Sequence, residues 1–388
     1  MRHHTIDIPT RTLFGEGTRH SLTDIIGTAS TGRVLVIATA TTARRTPAKE
    51  TIDELVRTFP TDIWTGVKPN PRVSDIDACV GSFRDADITH IVGIGGGSVL
   101  DHAKATAMAL AAGKPAAELL KMKTPLPQRH NTLILMPTTS GTGAELSFGA
   151  ILTDENSGEK LGLRGRVLAA DHAVVDPELT YSAPHDLSMT TGFDVLTHAL
   201  ETWLSTAASP FTADLSRAAL ERVFAFLPRI GSDPGDVEAR REIAYAAMIM
   251  GINLALSTTC LPHRLQYPLG AATDTAHAEG LAALYPAWLS HVRPFAPEKM
   301  ARCAQWIGVD IPGAPDSDNA RAFEEAVLAL LSEIGLERDM SDLGVTDEES
   351  RLFADRVTGR LDTDPGYRNR DDIDSIYAAS LHRLPIRK

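Results

Sequence analysis

The sequence contains little cysteine, and its cysteines do not cluster. Cys79, Cys260 and Cys303 are the three that it has, an odd number spread widely along the chain. This spacing predicts neither a disulfide framework nor a CxxC zinc site, so it favours a reducing cytoplasm. The first residues also lack the apolar stretch of a signal peptide, and we therefore expect none.

Long apolar runs and basic clusters are lacking as well. No apolar run free of charge reaches the roughly 18 residues that a membrane-spanning helix needs. We therefore expect no membrane partner. The formal net charge is −12, and the sequence contains no block of basic residues. An acidic surface of this kind argues against nucleic acid and anionic membranes as partners.

The composition is otherwise that of an ordinary globular protein. The chain has 388 residues, of which 43% are hydrophobic and 23% charged, and this length predicts two domains. Up to residue 184, short apolar runs alternate with helical stretches, which is typical of βαβ units around a parallel sheet. The predicted strands are residues 33–39, 62–67, 90–97, 131–137 and 172–179, and the predicted helices are residues 47–59 and 98–112.

Two further features of this part concern its strands. A turn at Asn156 to Gly158 predicts a hairpin. The N-terminal strand segment, residues 5–15, can form an edge within the chain or pair across a dimer. We expect a homodimer or a higher homo-oligomer.

The pattern changes near residues 182–185, where Pro184 breaks regular structure. From residue 187 onward the apolar residues recur with the helical period of 3.6. We therefore predict an α/β domain at residues 1–184, with a Rossmann-like parallel sheet, and an all-α domain at residues 185–388.

A run of glycines follows the predicted strand 90–97. Gly96, Gly97 and Ser98 stand where a strand gives way to a helix, so the backbone can approach a phosphate at the helix N-terminus. Asp101 follows; we place it in the first turn, where a carboxylate favours the helix dipole, and count it among the cofactor-binding residues. The GxGxxG fingerprint is absent, and a plain tight turn is the alternative interpretation.

A second loop, residues 136–147, is rich in hydroxyl groups. Thr138, Thr139 and Thr142 offer donors to a pyrophosphate directly after a predicted strand. The alternative is a capped helix start, with Glu145 at the capping-box distance from Thr142. Lys160 can add a positive charge near the phosphates or the nicotinamide ribose, or it is a solvated hairpin lysine. Together the loops favour a dinucleotide cofactor.

One carboxylate and three imidazoles lie in the helical half. Asp194 and His198 are four residues apart, which places them on one face of a predicted helix. With His263 and His277 they form a plausible four-ligand cage for a divalent metal such as Fe or Zn. The alternative is a helical side-chain pair and two unrelated histidines.

Five motifs together resemble one known family, the iron-containing (group III) alcohol dehydrogenases. They are GGGSVLDHAK, PTTSGTGAE, the DP of VVDPELT, FDVLTHALE and the HisX13His pair, and the similarity spans nearly the whole chain. The resemblance implies NAD(P)-linked interconversion of a primary alcohol and its aldehyde. It implies a dinucleotide-binding domain at residues 1–184 and a metal-binding, catalytic domain at residues 185–388.

The resemblance also assigns residues to roles. It places the metal, Fe(2+) or else Zn(2+), on Asp194, His198, His263 and His277. The positions that fall on cofactor contacts are Asn70, Gly96, Gly97, Ser98, Thr138, Thr139, Thr142, Lys160 and Leu179.

Three positions depart from the family pattern. Thr39 stands where many members carry an acidic residue that binds the adenosine ribose. Arg44 or Arg45 can then meet a 2′-phosphate, which favours NADP while permitting NAD. Tyr267 replaces a histidine suspected in proton transfer, so we predict that it is the proton relay. His277 is followed by alanine instead of glycine.

The HisAlaGlu sequence resembles maleylacetate reductases, which can act without metal. We therefore keep a metal-independent reductase as an alternative, together with a dehydroquinate synthase-like lyase and a non-catalytic nucleotide-binding module. The expected partner is a small alcohol or aldehyde.

Overall fold

The structure is a computed structural model that describes residues 4–27, 32–122 and 125–382. The chain forms two compact units. One comprises Asp7–Pro184, and the other comprises His185–Lys388 together with Met1–Ile6. We call the first the α/β unit and the second the helical unit. A separate function for each stays a prediction.

The α/β unit is built on a parallel sheet, as predicted. Within the described residues, six strands run in the order β1-β8-β5-β4-β2-β3, and every neighbouring pair is parallel. The strands are β1 (Arg11–Phe14), β2 (Arg33–Ile37), β3 (Thr61–Trp64), β4 (Ile88–Gly95), β5 (Thr132–Pro137) and β8 (His172–Val175). The helices are α1 (Leu22–Ile26), α2 (Ala48–Thr58), α3 (Val73–Phe83), α4 (Gly97–Ala112) and α5 (Ala116–Lys121).

The central strands read as continuous apolar runs because both of their faces are covered. In β2, Val34 and Val36 belong to a cluster with residues of α1 and α2. The alternate residues, Leu35 and Ile37, belong to a cluster with residues of α3 and α4. The two-residue period of a strand thus supplies two cores from one sheet.

The predicted hairpin is confirmed as an antiparallel pair, β6 (Gly149–Asp154) with β7 (Glu159–Arg164). β1 pairs with β8 of the same chain, so the N-terminal segment forms an intramolecular edge.

Several strand ends differ from the prediction. β2 ends at Ile37, β3 ends at Trp64, and β8 ends at Val175. In β8 the cause is visible: Asp176 caps a 3-10 turn, Pro177–Thr180, by accepting from the Glu178 N–H. Apolar residues that continue past a strand therefore belong to the turn that follows.

The capped helix considered at Thr142 does not form. Within the described residues 138–148 the chain makes turns, although the Thr142 hydroxyl accepts from the Ala144 N–H at 3.2 Å. Glu145 is buried in the α/β unit instead of closing a capping box. Burial in tertiary structure overrides the local capping signal here.

The helical unit follows the 3.6-residue period of the sequence, and the predicted fold class is confirmed. Its long helices are α6 (His185–Leu204), α7 (Pro210–Ser232), α8 (Val237–Leu256), α9 (Leu261–Thr273), α10 (His277–Val292), α11 (Pro297–Ile307), α12 (Asp316–Glu333) and α14 (Arg370–Leu381), with a short α13 (Asp347–Phe353). None of the helices described is by itself long and apolar enough to cross a membrane; the bent pair α8 and α9 meets the length and composition test jointly.

Candidate metal centre and nucleotide-binding loops

Asp194 and His198 lie one turn apart on α6, a helix buried along most of its length. Both side chains are buried, and Asp194 Oδ1 stands 3.8 Å from His198 Nε2. The i, i+4 spacing places them on one face, as predicted.

Two other helices bring His263 and His277 to the same place. His263 is the third residue of α9, and His277 is the first of α10. Asp194 Oδ1 lies 3.9 Å from His277 Nε2. The ligand atoms of Asp194, His263 and His277 all lie within 4.8 Å of one another. The rings of His198 and His263 are 4.7 Å apart between centroids, so the four predicted side chains converge.

The donor set of this cluster suits a divalent cation. Burial alone would raise the pKa of Asp194, yet the three histidines outweigh it and lower that pKa. Burial, together with His198, lowers the pKa of His263 well below its ordinary value. An ionised carboxylate and a neutral imidazole are the forms that bind metals.

An unpartnered nitrogen supports the same interpretation. Among the described residues, nothing offers a hydrogen bond to the buried His263 Nε2 or to His198 Nδ1. An unpartnered nitrogen among converging ligand atoms is available to a group that the protein chain does not itself supply.

Sequence reasoning missed two side chains that hold the histidines. Glu201 Oε1 lies 2.8 Å from His263 Nδ1, and Gln266 Oε1 lies 2.7 Å from His277 Nδ1. In both rings the contact at Nδ1 leaves Nε2 for a ligand role. A signal was available for Glu201, since it stands seven residues after Asp194 and therefore on the same helical face.

Tyr267 lies one helical turn after His263 on α9 and is half-buried. Its place beside a predicted ligand agrees with a proton relay, which stays a prediction.

In the α/β unit the two predicted loops contact each other. A Cβ added at Gly96 would stand 3.2 Å from the Thr139 hydroxyl, and one added at Gly97 would stand 2.7 Å from Thr142 Cγ2. Only glycine permits this approach without a shift of the threonines. The glycines therefore allow the two loops to pack closely, in addition to their predicted role at a phosphate.

The first N–H groups of α4 are not capped by a side chain of the described residues. The helix begins at Gly97 with Gly96 as its N-cap. Ser98 is half-buried in the first turn, and the Thr138 N–H donates to the Gly95 carbonyl at 3.0 Å. A sixteen-residue helix with an uncapped N-terminus is the kind of anion site that was predicted.

Asn70 and Lys160 also meet, although they are 90 residues apart. The Lys160 ammonium donates to Asn70 Oδ1 at 2.9 Å, and Asn70 adopts a left-handed φ of 53°. The lysine is half-buried, so the alternative of a solvated hairpin lysine does not describe it.

The predicted placement of Asp101 is wrong. α4 starts at Gly97, so Asp101 lies beyond the first turn, where the helix dipole no longer favours it. Its carboxylate accepts from the Ile151 N–H of β6 at 2.9 Å, which ties α4 to the hairpin.

Two other predicted positions make contacts of their own. Leu179 is buried in the cluster that β2 shares with α1 and α2. Thr39 lies two residues beyond β2, and its hydroxyl accepts from the Thr42 N–H at 3.0 Å, which shapes the 3-10 turn Thr42–Arg44.

Comparison with known proteins gives a consistent result along the whole chain. The model of the iron-containing alcohol dehydrogenases matches residues 9–177. The model of the Fe-containing alcohol dehydrogenase family, C-terminal, matches residues 188–381.

Individual relatives match this chain over most of their own length. The chain is 29% identical over 351 residues to the choline dehydrogenase of Bacillus subtilis, covering 88% of this chain and 87% of the relative. It is 27% identical over 369 residues to the lactaldehyde reductase of Escherichia coli, covering 94% and 96%. The crystal structure of sulfoacetaldehyde reductase from Bifidobacterium kashiwanohense in complex with NAD+ matches with a TM-score of 0.89 and 25% identity, covering 99% of this chain and 100% of that one.

Proposed function

Because the chain belongs to the iron-containing alcohol dehydrogenase family, we propose that it interconverts a primary alcohol and its aldehyde by hydride transfer with a nicotinamide dinucleotide. The α/β unit binds the dinucleotide in this proposal. The helical unit binds a divalent metal through Asp194, His198, His263 and His277. The observation that carries the proposal is the convergence of these four side chains, all but the half-buried His277 being buried, with His263 Nε2 unpartnered among the described residues.

When bound, a divalent metal supplies a Lewis acid for the alcohol or carbonyl oxygen of the substrate. Asp194 contributes the one negative charge among the four ligands. Glu201 and Gln266 hold the rings of His263 and His277 at their Nδ1 atoms. Tyr267, one turn from His263, exchanges the proton of the substrate oxygen in this proposal.

The cofactor site follows from the two loops of the α/β unit. Gly96, Gly97 and Ser98 offer backbone N–H groups at the start of α4, and Thr138, Thr139 and Thr142 offer hydroxyl groups. The Lys160 ammonium, positioned by Asn70, supplies a positive charge. Leu179 lines the site through its position after β8. Asp101 supports α4 through its bond to the hairpin, and its part in cofactor binding stays a prediction.

We assign NADP as the better cofactor, with NAD also accepted. Thr39 brings no carboxylate to the end of β2, so nothing at this position repels a 2′-phosphate. Arg44 and Arg45 follow within six residues, and both side chains are exposed. Arg45 also donates to the Ser182 carbonyl at 3.4 Å, which leaves Arg44 as the better candidate for a phosphate contact.

The metal is Fe(2+) in this proposal, with Zn(2+) as the substitute, since the ligand set suits both. A homodimer or higher homo-oligomer and a cytoplasmic location stay predictions. The three free, buried cysteines agree with a reducing compartment.

The test is metal analysis of gently purified protein combined with a spectrophotometric panel of alcohols and aldehydes. We expect one divalent metal per chain, oxidation of NADPH and NADH by aldehydes, and loss of turnover after chelation. Full activity after exhaustive chelation would instead support the metal-independent reductase. Turnover without net change in nicotinamide absorbance would support the lyase.

A further inference from the structure

The three imidazoles of the proposed metal centre are held in three different ways. His263 Nδ1 lies 2.8 Å from a carboxylate oxygen of Glu201. His277 Nδ1 lies 2.7 Å from the amide oxygen of Gln266. His198 Nδ1 has no hydrogen-bond partner in the part of the chain that the structure describes. Among these contacts at Nδ1, the one to His263 comes from an acid.

Glu201 is wholly buried, and each of its oxygens has its own partner. Oε1 faces His263, while Oε2 accepts from the Cys260 N–H at 2.9 Å. Cys260 is the N-cap residue directly before α9, and its own side chain does not cap the helix. A carboxylate at a helix N-terminus is favoured by the helix dipole and satisfies an N–H that the helix leaves open.

A second distant carboxylate acts on the same helix end. Asp364 Oδ2 accepts from the Leu261 N–H at 2.9 Å and from the Trp288 indole at 2.8 Å. The N–H groups of the N-cap and of the first residue of α9 are thus fixed by acids from other parts of the helical unit. His263 follows two residues later, so the position of its backbone is set by these bonds, and the orientation of its ring is set by Glu201.

With Glu201 ionised, the contact also selects the tautomer of His263. A carboxylate can only accept at Oε1, so Nδ1 carries the proton and Nε2 keeps its lone pair. Nε2 is the atom without a partner among the described residues. A carboxylate behind a ligand histidine raises the basicity of the ligand nitrogen more than a neutral amide does.

We propose that Glu201 is the positioning residue of this centre, which holds His263 as the Nδ1–H tautomer and by this means governs how tightly the metal is retained. The inference rests on the proposed metal site. Gln266 orients His277 in the same manner with a smaller effect, because its oxygen carries no charge.

The test compares two single exchanges that mirror each other. After Glu201→Gln, an amide faces Nδ1 of both His263 and His277. After Gln266→Glu, a carboxylate faces both. Zinc affinity of each protein is measured by competition with a chromophoric chelator. We expect Glu201→Gln to weaken zinc binding by about 10- to 100-fold. We expect Gln266→Glu to leave it unchanged or tighter.

Thermal unfolding of the zinc-free proteins separates positioning from mere stability. If Glu201→Gln lowers the unfolding temperature while zinc affinity stays within about threefold of wild type, the proposal is overturned. The same conclusion follows if the two exchanges weaken zinc binding equally.

A measurement on the wild-type protein covers the case in which Glu201→Gln does not fold. Imidazole nitrogen NMR of histidine-labelled protein, with and without zinc, reports which ring nitrogen is protonated. We expect His263 to carry its proton at Nδ1 in both states, and protonation at Nε2 in the zinc-free protein would overturn the proposal. Failure of wild-type protein to bind any divalent metal would instead refute the proposed function, while the tautomer of His263 would still test the role of Glu201.

Discussion

The α/β unit and the helical unit each contain a cluster of charged groups away from water, and the two clusters differ in how they are satisfied. In the α/β unit the wholly buried Lys104 donates to the Ser147 carbonyl, the Ser147 hydroxyl and the Gly149 carbonyl, at 2.9, 3.1 and 2.8 Å. All three of its protons are used. In the helical unit, Asp194 and the histidines leave His263 Nε2 and His198 Nδ1 without a partner among the described residues.

This difference separates a structural cluster from a ligand site. Lys104 stands near Asp101 and the buried Glu145, so its charge is compensated within the unit. In the histidine cluster Asp194 faces the three rings and Glu201 contacts one of them, yet His263 Nε2 has no partner among the described residues. What points to a ligand in the helical unit is the convergence of several ligand atoms around an unpartnered nitrogen, since single unpartnered buried atoms also occur in the α/β unit.

The largest effect that the comparison predicts comes from removing a ligand. His263→Ala deletes the ring with the unpartnered Nε2, so metal affinity and kcat should fall by orders of magnitude. Metal content and steady-state kinetics measure both. His185→Ala is the control, because His185 is an exposed histidine at the start of the same α6. Wild-type turnover of His263→Ala in the presence of chelator would contradict the metal role.

A smaller effect on activity but a large one on folding is expected at Lys104. Lys104→Met leaves Asp101 and Glu145 without their cation, and breaking a buried charge network costs about 3–5 kcal/mol. The free energy of unfolding, measured in urea, should fall by this amount while metal content per folded chain stays the same.

Lys49→Met provides the matched control. Lys49 is half-exposed and pairs with Asp53 on the surface of α2, so its loss should change the unfolding free energy by at most about 1 kcal/mol. Equal losses of unfolding free energy in Lys104→Met and Lys49→Met would show that the Lys104 cluster does not stabilise the fold, and would contradict its structural role. Loss of metal from folded Lys104→Met would also contradict it.

The smallest predicted effect is a change in pH dependence. Burial raises the pKa of Glu145 to about 7, with Lys104 acting in the opposite direction. The folded protein therefore keeps a proton that the unfolded chain releases near its ordinary value of 4.5. The stability that this proton supports is complete below that value and is lost as the pH rises through about 7.

Glu145→Gln should remove the loss of stability that Glu145 causes as the pH rises. Urea unfolding of metal-free wild type and variant between about pH 4 and pH 8 measures it, and subtraction of the two curves cancels the histidine titrations. We expect the wild-type curve to fall more steeply. Parallel curves would show that Glu145 titrates as an ordinary carboxyl.

The parts of the structure that local sequence patterns encode could be predicted from the sequence. The apolar runs predicted the parallel strands, and the i, i+4 spacing placed Asp194 and His198 on one face. The grouping of His263 and His277 with them rested on residue type and on the family resemblance, because their separation in sequence carries no geometric information by itself.

The remaining features depend on tertiary contacts. Glu201 acts on His263 only because α9 begins beside α6, and no spacing rule encodes that docking. The capping box at Thr142 was locally plausible, but Glu145 is drawn into the interior near Lys104. Asp101 was assigned to the helix dipole, and its acceptor role for the Ile151 N–H becomes visible only when β6 is placed beside α4.

The central claim is that Asp194, His198, His263 and His277 bind one divalent cation. Anomalous X-ray diffraction from crystals of gently purified protein, collected on either side of the iron and zinc edges, tests it most directly. We expect a single anomalous peak per chain within about 2.0–2.2 Å of the four ligand atoms. Crystals of active enzyme with no peak among these side chains, or with a peak elsewhere in the chain, would contradict it.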